Sequence, residues 1–154
     1  MIDMEKTLRI SKIRDGTVID HVPSGKGIRV IGVLGVHEDV NYTVSLAIHV
    51  PSNKMGFKDV IKIENRFLDR NELDMISLIA PNATISIIKN YEISEKFQVE
   101  LPSRLIGVLK CKNQNCITNT REPVESEFEI VSKHPLVIRC VYCERTMGEK
   151  DIFT

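Results

Sequence analysis

The chain has 154 residues with 21 basic and 21 acidic side chains, so its formal net charge at pH 7 is zero. Hydrophobic residues make up 42% and charged residues 27%, an ordinary composition for a globular protein with a buried core. The charge balance argues against a general nucleic-acid binder, which needs excess lysine and arginine to neutralise phosphates. No apolar run approaches the roughly 20 residues that cross a bilayer. No targeting segment is recognisable, so we expect a cytoplasmic protein.

The first 36 residues indicate a β-hairpin followed by a helix. Two β-prone runs, residues 8–13 and 17–22, flank Asp15-Gly16. That dipeptide favours the positive φ angles of a tight hairpin turn. Ser24 then offers an N-cap oxygen for a helix over about residues 25–36.

The clearest periodic signal covers residues 42–50, where apolar and polar residues alternate. The alternation predicts a half-buried strand. Its core face would carry Tyr42, Val44, Leu46, Ile48 and Val50. A turn at residues 51–54 leads into a second predicted strand, residues 58–63, and so short a connection favours antiparallel pairing.

A second helix is predicted to begin after Asp69, because Glu72 stands at the capping-box position three residues later. Pro81 would end this helix, since proline cannot donate to the helical hydrogen-bond pattern. The buried stripe of the helix would consist of Leu73, Ile76 and Ile79.

The remaining elements predict the fold class of the first domain. Residues 84–88 and 91–97 read as strands joined by a turn at Asn90. The order of elements is then β(β)α-β-β-α-β(β), which predicts an α+β fold: a ferredoxin-like antiparallel sheet with two helices on one face. We place a boundary at Leu101-Pro102, so residues 1–100 form this domain and residues 101–154 form a second one.

The second domain is predicted to be small and mostly β. It contains short β-prone pieces at residues 107–109, 128–131 and 136–139, with no convincing helix. From Glu100 to Thr154 there are eight basic and eight acidic residues, a poor balance for a zinc ribbon that binds DNA or RNA. So small a core would be stabilised by a bound metal.

All four cysteines lie in this second domain, as Cys111-x4-Cys116 and Cys140-x2-Cys143. Each close pair can sit on one tight turn, and four thiolates supply a tetrahedral shell for Zn²⁺ at about 2.3 Å. That shell leaves no position for water, so we predict one structural zinc ion. The other interpretations are two disulfides, which need an oxidising compartment, or four unrelated thiols. A redox site is a poor fit because a Cys-x2-Cys pair would not need the other two cysteines.

No catalytic constellation is recognisable. The sequence has no Gly-x-Ser-x-Gly, P-loop, Gly-x-Gly-x-x-Gly or His-Glu-x-x-His motif, and its four histidines are scattered. His21 follows Asp20 at the end of a predicted strand near Lys62, and Lys58 and Lys62 face away from the core. A solvated strand face and an anion site explain the two lysines equally well, whereas His21 is more simply a surface histidine beside an aspartate. From the residues alone, the chain is a binding or scaffold protein with a structural zinc ion.

Several strings of residues resemble the regulatory chains of aspartate carbamoyltransferase. They lie at residues 16–23 (Gly-Thr-Val-Ile-Asp-His-Val-Pro), 51–56, 58–65 (Lys-Asp-Val-Ile-Lys-Ile-Glu-Asn), 80–84, 90–92, 101–104 and in the cysteine pattern of 111–144. The likeness extends from about Leu8 to Asp151. It implies a non-catalytic subunit with a ferredoxin-like nucleotide-binding domain and a zinc domain that docks on a separate catalytic chain. It also implies that regulatory chains pair as dimers and act in pyrimidine biosynthesis.

The resemblance further implies an allosteric site for ATP, CTP or UTP in the first domain. Lys62 and Lys96 would lie near the ribose and phosphates, and Ser86, Ile88, Tyr91 and Ile93 would line the base pocket. The remaining implied contacts are Ile10, Ser11, Ile13, Val18, Asp20 and His21. Contacts to the catalytic chain are implied at Asn113, Asn115, Glu144 and Arg145. There are two alternative functions. One is a zinc-ribbon nucleic-acid binder, which the balanced charge and the low aromatic content of 5% disfavour. The other is a constitutive assembly scaffold.

Overall fold

The structure is a computed structural model that describes residues 12–153. The chain divides into two compact units that separate between Glu100 and Leu101. The first unit contains a five-stranded sheet and the second a four-stranded sheet. Within the described range, no helix is long and apolar enough to cross a membrane.

The first unit has the predicted α+β order of elements. It contains β1 (Gly16–Pro23), α1 (Gly27–Val33), β2 (Val44–Ser52), β3 (Gly56–Glu64), α2 (Arg70–Ile79), β4 (Thr84–Lys89) and β5 (Glu92–Gln98). The strand order is β2-β3-β1-β4-β5, and every neighbouring pair is antiparallel. The first four strands have the ferredoxin-like order, and β5 extends the sheet as the second strand of a hairpin. Helices α1 and α2 pack against each other.

One face of this sheet forms the core of the first unit. The register places Ile19 of β1 opposite Ile61 of β3 and opposite Ile85 of β4. Residues directly opposite in an antiparallel pair project to the same face, and all three isoleucines are buried. Val30 of α1 and Ile76 of α2 are fully buried as well. The apolar sides of the helices therefore cover this face.

The capping box predicted for the second helix is confirmed. An Asp69 carboxylate oxygen accepts from the Glu72 amide at 2.9 Å, and a Glu72 carboxylate oxygen accepts from the Asp69 amide at 3.1 Å. These bonds satisfy two of the amides that a helix N-terminus leaves unpaired. The helix ends at Ile79, two residues before Pro81.

The start of α1 differs from the prediction. The N-cap residue is Lys26, not Ser24, and it makes no side-chain cap bond. Instead, the fully buried carboxylate of Asp59 on β3 accepts from the amides of Gly25 at 2.9 Å and Gly27 at 2.8 Å. Its second oxygen accepts from the His49 amide at 2.9 Å. Asp59, which is distant in sequence, thus supplies the hydrogen-bond acceptor that the local sequence predicted Ser24 would supply.

The alternation predicted for residues 42–50 holds only in part. Strand β2 forms, but the register shifts between Ala47 and Val50, and His49 has a φ of 62°. Ile48 is 47% exposed, so its predicted place in the core is wrong. A β-bulge inserts an extra residue and redirects the side chains beyond it. The His49 ring then stacks on Phe57, with ring centroids 3.7 Å apart.

The hairpin predicted at Asp15-Gly16 has most of its first strand, with Ile10 and Ser11, outside the described residues. Ile13 is described and lies in no strand, so a strand reaching that residue is a wrong prediction. The chain bends at Arg14 and Asp15, whose carbonyls accept from the amides of Tyr91 and Asn65, both at 2.9 Å. These bonds hold the bend between the β4–β5 turn and the end of β3.

The second unit is mostly β, as predicted. It contains β6 (Arg104–Ile106), a 3₁₀ turn (Ile117–Asn119), β7 (Glu127–Lys133), β8 (Leu136–Cys140), β9 (Thr146–Gly148) and α3 (Glu149–Ile152), with strand order β6-β7-β8-β9. Its buried apolar side chains include Leu105, Phe128, Ile138 and Met147.

Two predictions for this unit are wrong. Residues 107–109 form no strand, because the chain turns at Gly107 with a φ of 67° just after β6. One helical turn, α3, was not expected. The Asp151 carboxylate stabilises it by accepting from the Gly148 amide at 2.9 Å.

Two glycines of α1 provide a matched test of the packing around Asp59. A Cβ at Gly27 would lie 2.8 Å from Leu46 Cδ1 and 2.9 Å from Asp59 Oδ2, whereas a Cβ at Gly32 would meet nothing within 4 Å. We expect Gly27→Ala to lower the free energy of unfolding by about 1–3 kcal/mol through overpacking. Gly32→Ala should raise it by about 0.5–1 kcal/mol. Urea denaturation measures both, and equal effects of the two variants would contradict the packing described.

Candidate metal centre and ligand-binding face

The four cysteine side chains form one compact cluster. Their Sγ atoms all lie within 4.8 Å of one another. Cys111 and Cys143 are separated by 3.6 Å and Cys116 and Cys140 by 3.7 Å, and none of the four forms a disulfide. A tetrahedral ion with sulfur ligands at about 2.3 Å requires sulfur–sulfur distances of about 3.8 Å. The cluster therefore has the size of a tetrahedral four-cysteine metal site.

The first pair of cysteines is held by a turn closed through backbone carbonyls. The Cys116 amide donates to the Asn113 carbonyl at 3.0 Å. Asn119, on the 3₁₀ turn, donates its side-chain amide to the carbonyls of Cys111 and Asn113, both at 2.7 Å. The two sulfurs are thus directed inward from a turn whose carbonyls are satisfied.

The second pair is held where β8 ends. The Cys140 amide donates to the Arg145 carbonyl at 3.0 Å, and the Glu144 amide donates to the Cys140 carbonyl at 2.9 Å. Glu144 has a φ of 64°, a left-handed conformation that lets the chain reverse within a few residues. Strand β8 therefore delivers Cys140, and the reversal brings Cys143 back beside it.

Hydrogen-bond donors surround the sulfur atoms. Burial raises the pKa of Cys143, but the Arg145 amide and the Asn113 side chain outweigh it and lower that pKa to about 7. At Cys111 burial dominates and raises the pKa to about 12. The Thr118 hydroxyl donates to Cys116 Sγ at 3.2 Å. A cluster so arranged reaches the four-thiolate form only with a compensating cation, and soft thiolates select ions such as zinc.

The second candidate site is the sheet face opposite the isoleucine core. The register places Val18 opposite both Lys62 and Ser86, and it places Ser86 opposite Lys96. These four residues form one row across β3, β1, β4 and β5, which we call the polar row. Their side chains project to the same face, because directly opposite residues do. Residues from four strands thus come together only through the register.

Asp20 lies beside the polar row, two residues after Val18 on β1. Its carboxylate lies 2.9 Å from Lys58 Nζ and accepts from the His21 amide at 2.6 Å. Burial raises the pKa of Asp20, but Lys58 and the His21 amide outweigh this effect and hold that pKa below its usual value. Asp20 is therefore ionised at neutral pH and already paired with a cation.

Lys62 lies in an electrostatic environment that suits an anionic ligand. Burial lowers the pKa of Lys62, the charge of Asp20 opposes that change, and the nearby charge of Lys12 lowers the pKa further. A bound anion would offset both the desolvation and the repulsion from Lys12.

A pocket of about 300 Å³ opens beside His21. It is lined by His21, Lys54, Met55, Asn82, Thr84 and Gln98. His21 sits at a register shift of β1 with a φ of 59°, and its Nδ1 is hydrogen-bonded to the Thr84 hydroxyl at 3.0 Å. Apart from His21, these residues were not anticipated, because the local sequence contains no signal that brings the β2–β3 turn next to β4.

The residues implied for a base pocket lie toward the β4–β5 turn. Ile88 is buried and pairs with Ile93, which is 59% exposed. Tyr91, 63% exposed, follows Asn90, and both have positive φ values as in a tight hairpin turn. Ile13 is buried. This side of the site is apolar, in contrast to the lysines of the polar row and the neighbouring Asp20.

The four residues implied as partner contacts all lie on the two cysteine turns. Asn115, Glu144 and Arg145 are exposed. Asn113 is only half-buried, and its Oδ1 accepts from the Asn115 amide at 3.1 Å. Three of the four are therefore accessible to another protein, whereas Asn113 is engaged within its own turn.

Comparison with known proteins identifies the family. Residues 8–100 match the family described as aspartate carbamoyltransferase regulatory chain, allosteric domain, and residues 103–153 match the metal-binding domain of the same regulatory chain. This chain belongs to the aspartate carbamoyltransferase regulatory-chain family. Its first unit is the family's allosteric domain and its second unit is the metal-binding domain.

Individual regulatory chains are similar over nearly their whole length. The aspartate carbamoyltransferase regulatory chain of Thermoplasma volcanium is 77% identical over 149 residues, covering 97% of this chain and 98% of the relative. Two other regulatory chains are more distant. That of Pyrococcus horikoshii is 52% identical and covers 94% of this chain and 95% of the relative. That of Korarchaeum cryptofilum is 49% identical and covers 97% of this chain and 96% of the relative. The comparisons confirm the resemblance seen in the sequence and the expectation of a regulatory rather than a catalytic chain.

Proposed function

We propose that this chain is the subunit through which nucleoside triphosphates regulate a catalytic chain of aspartate carbamoyltransferase in pyrimidine biosynthesis. The observation that carries the proposal is the polar row, which lines up two lysines on the sheet face opposite the isoleucine core of an allosteric domain. A ligand would bind there by charge and shape, and its binding energy would be available for regulation.

The chemistry of the face suits ATP, CTP or UTP. The ammonium groups of Lys62 and Lys96 would donate charge-assisted hydrogen bonds to the phosphate and ribose oxygens. Asp20, held ionised by Lys58, would accept from a ribose hydroxyl or a base amino group. Ser86, Ile88, Tyr91 and Ile93 would contact the base, which would cover the exposed apolar surface of Tyr91 and Ile93. His21, Val18 and the segment from Ile10 through Ser11 to Ile13 would complete the site.

The metal of the second unit is proposed to be one structural zinc ion bound by Cys111, Cys116, Cys140 and Cys143. The four sulfurs fit a tetrahedral shell, and that shell leaves no ligand position for water or substrate. Zinc binding requires reduced thiols, which fits a reducing compartment such as the cytoplasm. The ion would join two turns that are far apart in sequence.

The exposed surface beside the metal is proposed to dock on the catalytic chain. Asn115, Glu144 and Arg145 lie on turns that the metal would make rigid, and rigid polar groups lose little conformational entropy on binding. Nucleotide can alter the partner's activity only by binding two arrangements of the complex with different affinity, typically with a coupling of about 1–3 kcal/mol.

Regulatory chains are further proposed to pair as homodimers. Strand β2 is an edge strand with Ile48 exposed, whereas the other edge, β5, carries Glu92, Glu95 and Lys96. Charged edges resist pairing with another chain, so β2 is the better surface for a second copy. Sedimentation equilibrium of the isolated chain tests this proposal, and a monomer at all concentrations would contradict it.

The nucleotide site is tested by Lys62→Ala. Removing one charge-assisted hydrogen bond of about 1.5–3 kcal/mol should weaken ATP and CTP binding by at least about 10-fold. Calorimetry on the full chain measures the affinity. The control is Lys89→Ala, an exposed lysine at the end of β4 whose Nζ lies 5.8 Å from the Phe67 ring centroid. Unchanged affinity in Lys62→Ala would remove this residue from the site.

The metal site is tested by Cys140→Ser. Because the unit depends on its metal, we expect zinc loss and unfolding of residues 101–154, with the first unit intact. Metal analysis and amide NMR spectra measure the two effects. Well under one zinc per chain in freshly purified, reduced wild-type protein would contradict the proposed ion.

The docking surface is tested by charge reversal. Glu144→Lys should weaken assembly with the catalytic chain by at least about 10-fold, since a charge pair across an interface becomes repulsive. Nucleotide affinity and zinc content should not change. Glu122→Lys is the control, an exposed glutamate in a loop of the same unit. Titration followed by size-exclusion chromatography gives the affinities, and equal assembly by the two variants would argue against docking through these turns.

A further inference from the structure

The 3₁₀ turn Ile117–Asn119 follows directly after Cys116 and is hydrogen-bonded to the first cysteine turn. The Asn119 amide donates to the Cys116 carbonyl at 2.9 Å. The side-chain amide of Asn119 donates to the carbonyls of Cys111 and Asn113, both at 2.7 Å. Three hydrogen bonds therefore fix the position of the 3₁₀ turn relative to the cysteines.

Thr118, the middle residue of the 3₁₀ turn, directs its hydroxyl at a sulfur atom. Its Oγ1 lies 3.2 Å from Cys116 Sγ. A thiolate can only accept a hydrogen bond, so the hydroxyl is the donor. Because threonine is β-branched, its χ1 angle is restricted, and the direction of the hydroxyl is restricted with it. The fold thus holds a hydrogen-bond donor against one of the four candidate metal ligands.

The sulfur that Thr118 contacts has little access to water. Cys116 is only 2% exposed. Four thiolates and one divalent ion together carry excess negative charge, and a buried charge is costly unless it is hydrogen-bonded. Water cannot readily donate to so buried a sulfur, so the protein has to provide the donor. The Thr118 hydroxyl is placed to do so.

We propose that Thr118 is a positioning residue of the metal centre, whose hydroxyl donates to the Cys116 thiolate and orients it toward the ion. This role rests on the metal binding proposed above, and Thr118 is neither a metal ligand nor one of the implied partner contacts. Groups that hydrogen-bond to metal ligands hold the ligands in place, and losing one typically costs about 10–100-fold in metal affinity.

Two substitutions of Thr118 separate its hydroxyl from its shape. Thr118→Val keeps the β-branched shape and removes the donor, whereas Thr118→Ser keeps the donor and removes a methyl group. The control is Thr120→Val. Thr120 is exposed, and its hydroxyl donates to the Ile117 carbonyl at 2.7 Å rather than to a sulfur. The control therefore removes a hydroxyl next to the same 3₁₀ turn without changing a bond to a ligand.

The experiment compares metal retention in the full chain. Wild type and the three variants are loaded with zinc, and release to an excess of a colorimetric chelator is timed. We expect release at least about 10-fold faster from Thr118→Val, within about threefold of wild type from Thr118→Ser, and within about twofold from Thr120→Val. If Thr118→Val is isolated without metal, competition with the chelator measures its affinity, and the same loss of at least about 10-fold is expected.

A second readout separates the bond to sulfur from general loosening of the turn. In the cobalt-substituted chain, loss of a hydrogen bond to a thiolate raises the energy of the sulfur electrons. The charge-transfer absorption from sulfur to cobalt then shifts to longer wavelength. We expect this shift in Thr118→Val, and we expect the wild-type spectrum in Thr118→Ser and Thr120→Val.

The outcomes distinguish this inference from the proposed metal site. Wild-type retention or an unshifted cobalt spectrum in Thr118→Val, with a fully loaded wild type, would overturn the role of Thr118 alone. Equal losses in Thr118→Val and Thr118→Ser would show that the methyl group matters rather than the hydroxyl, and equal losses in Thr120→Val would show that any change near the turn suffices. Either result would also overturn the proposal. A wild-type chain that binds neither zinc nor cobalt would overturn the metal site and this role together.

Discussion

The antiparallel register of β3, β1 and β4 determines both faces of the first unit. The same pairing that places Ile19 between Ile61 and Ile85 also places Val18 between Lys62 and Ser86. Because successive residues of a strand point to opposite faces, the isoleucine core and the polar row cannot be changed independently. A one-residue slip of β1 would bury Val18 and Asp20 and expose Ile19. The apolar core thus maintains the alignment of the proposed ligand site.

Charged side chains of the first unit stabilise its fold and also belong to the proposed ligand site. Asp59 is fully buried, yet it accepts from three backbone amides and so joins α1 to the bulge of β2. On the adjacent residue, Lys58 faces the other way and pairs with Asp20. Of these two consecutive residues of β3, Asp59 therefore stabilises the packing of α1 and Lys58 lies on the ligand face. A ligand that moves Lys58 would move a strand that is hydrogen-bonded to α1.

The stability of the second unit does not come from a large apolar core. Its sheet buries few large side chains, and domains of this size usually need a metal or disulfides to be stable. The sulfurs of its two turns converge to within 4.8 Å, and the Thr118 hydroxyl donates to one of them. The exposed residues proposed to meet a partner lie on those turns. Metal binding, folding and docking would then be linked equilibria, so that a loss of metal would also be a loss of partner affinity.

The sequence by itself determined the features whose causes are local. The capping box of Asp69 and Glu72 depends on a spacing of three residues, and the cysteine turns depend on spacings of five and three. The order of elements also followed from local periodicity, and the family resemblance covered both units. Only the tertiary structure decided that Asp59 rather than Ser24 satisfies the start of α1, and that a bulge exposes Ile48. These outcomes depend on strand register and on contacts between residues far apart in the chain, and no pattern within a short segment encodes either.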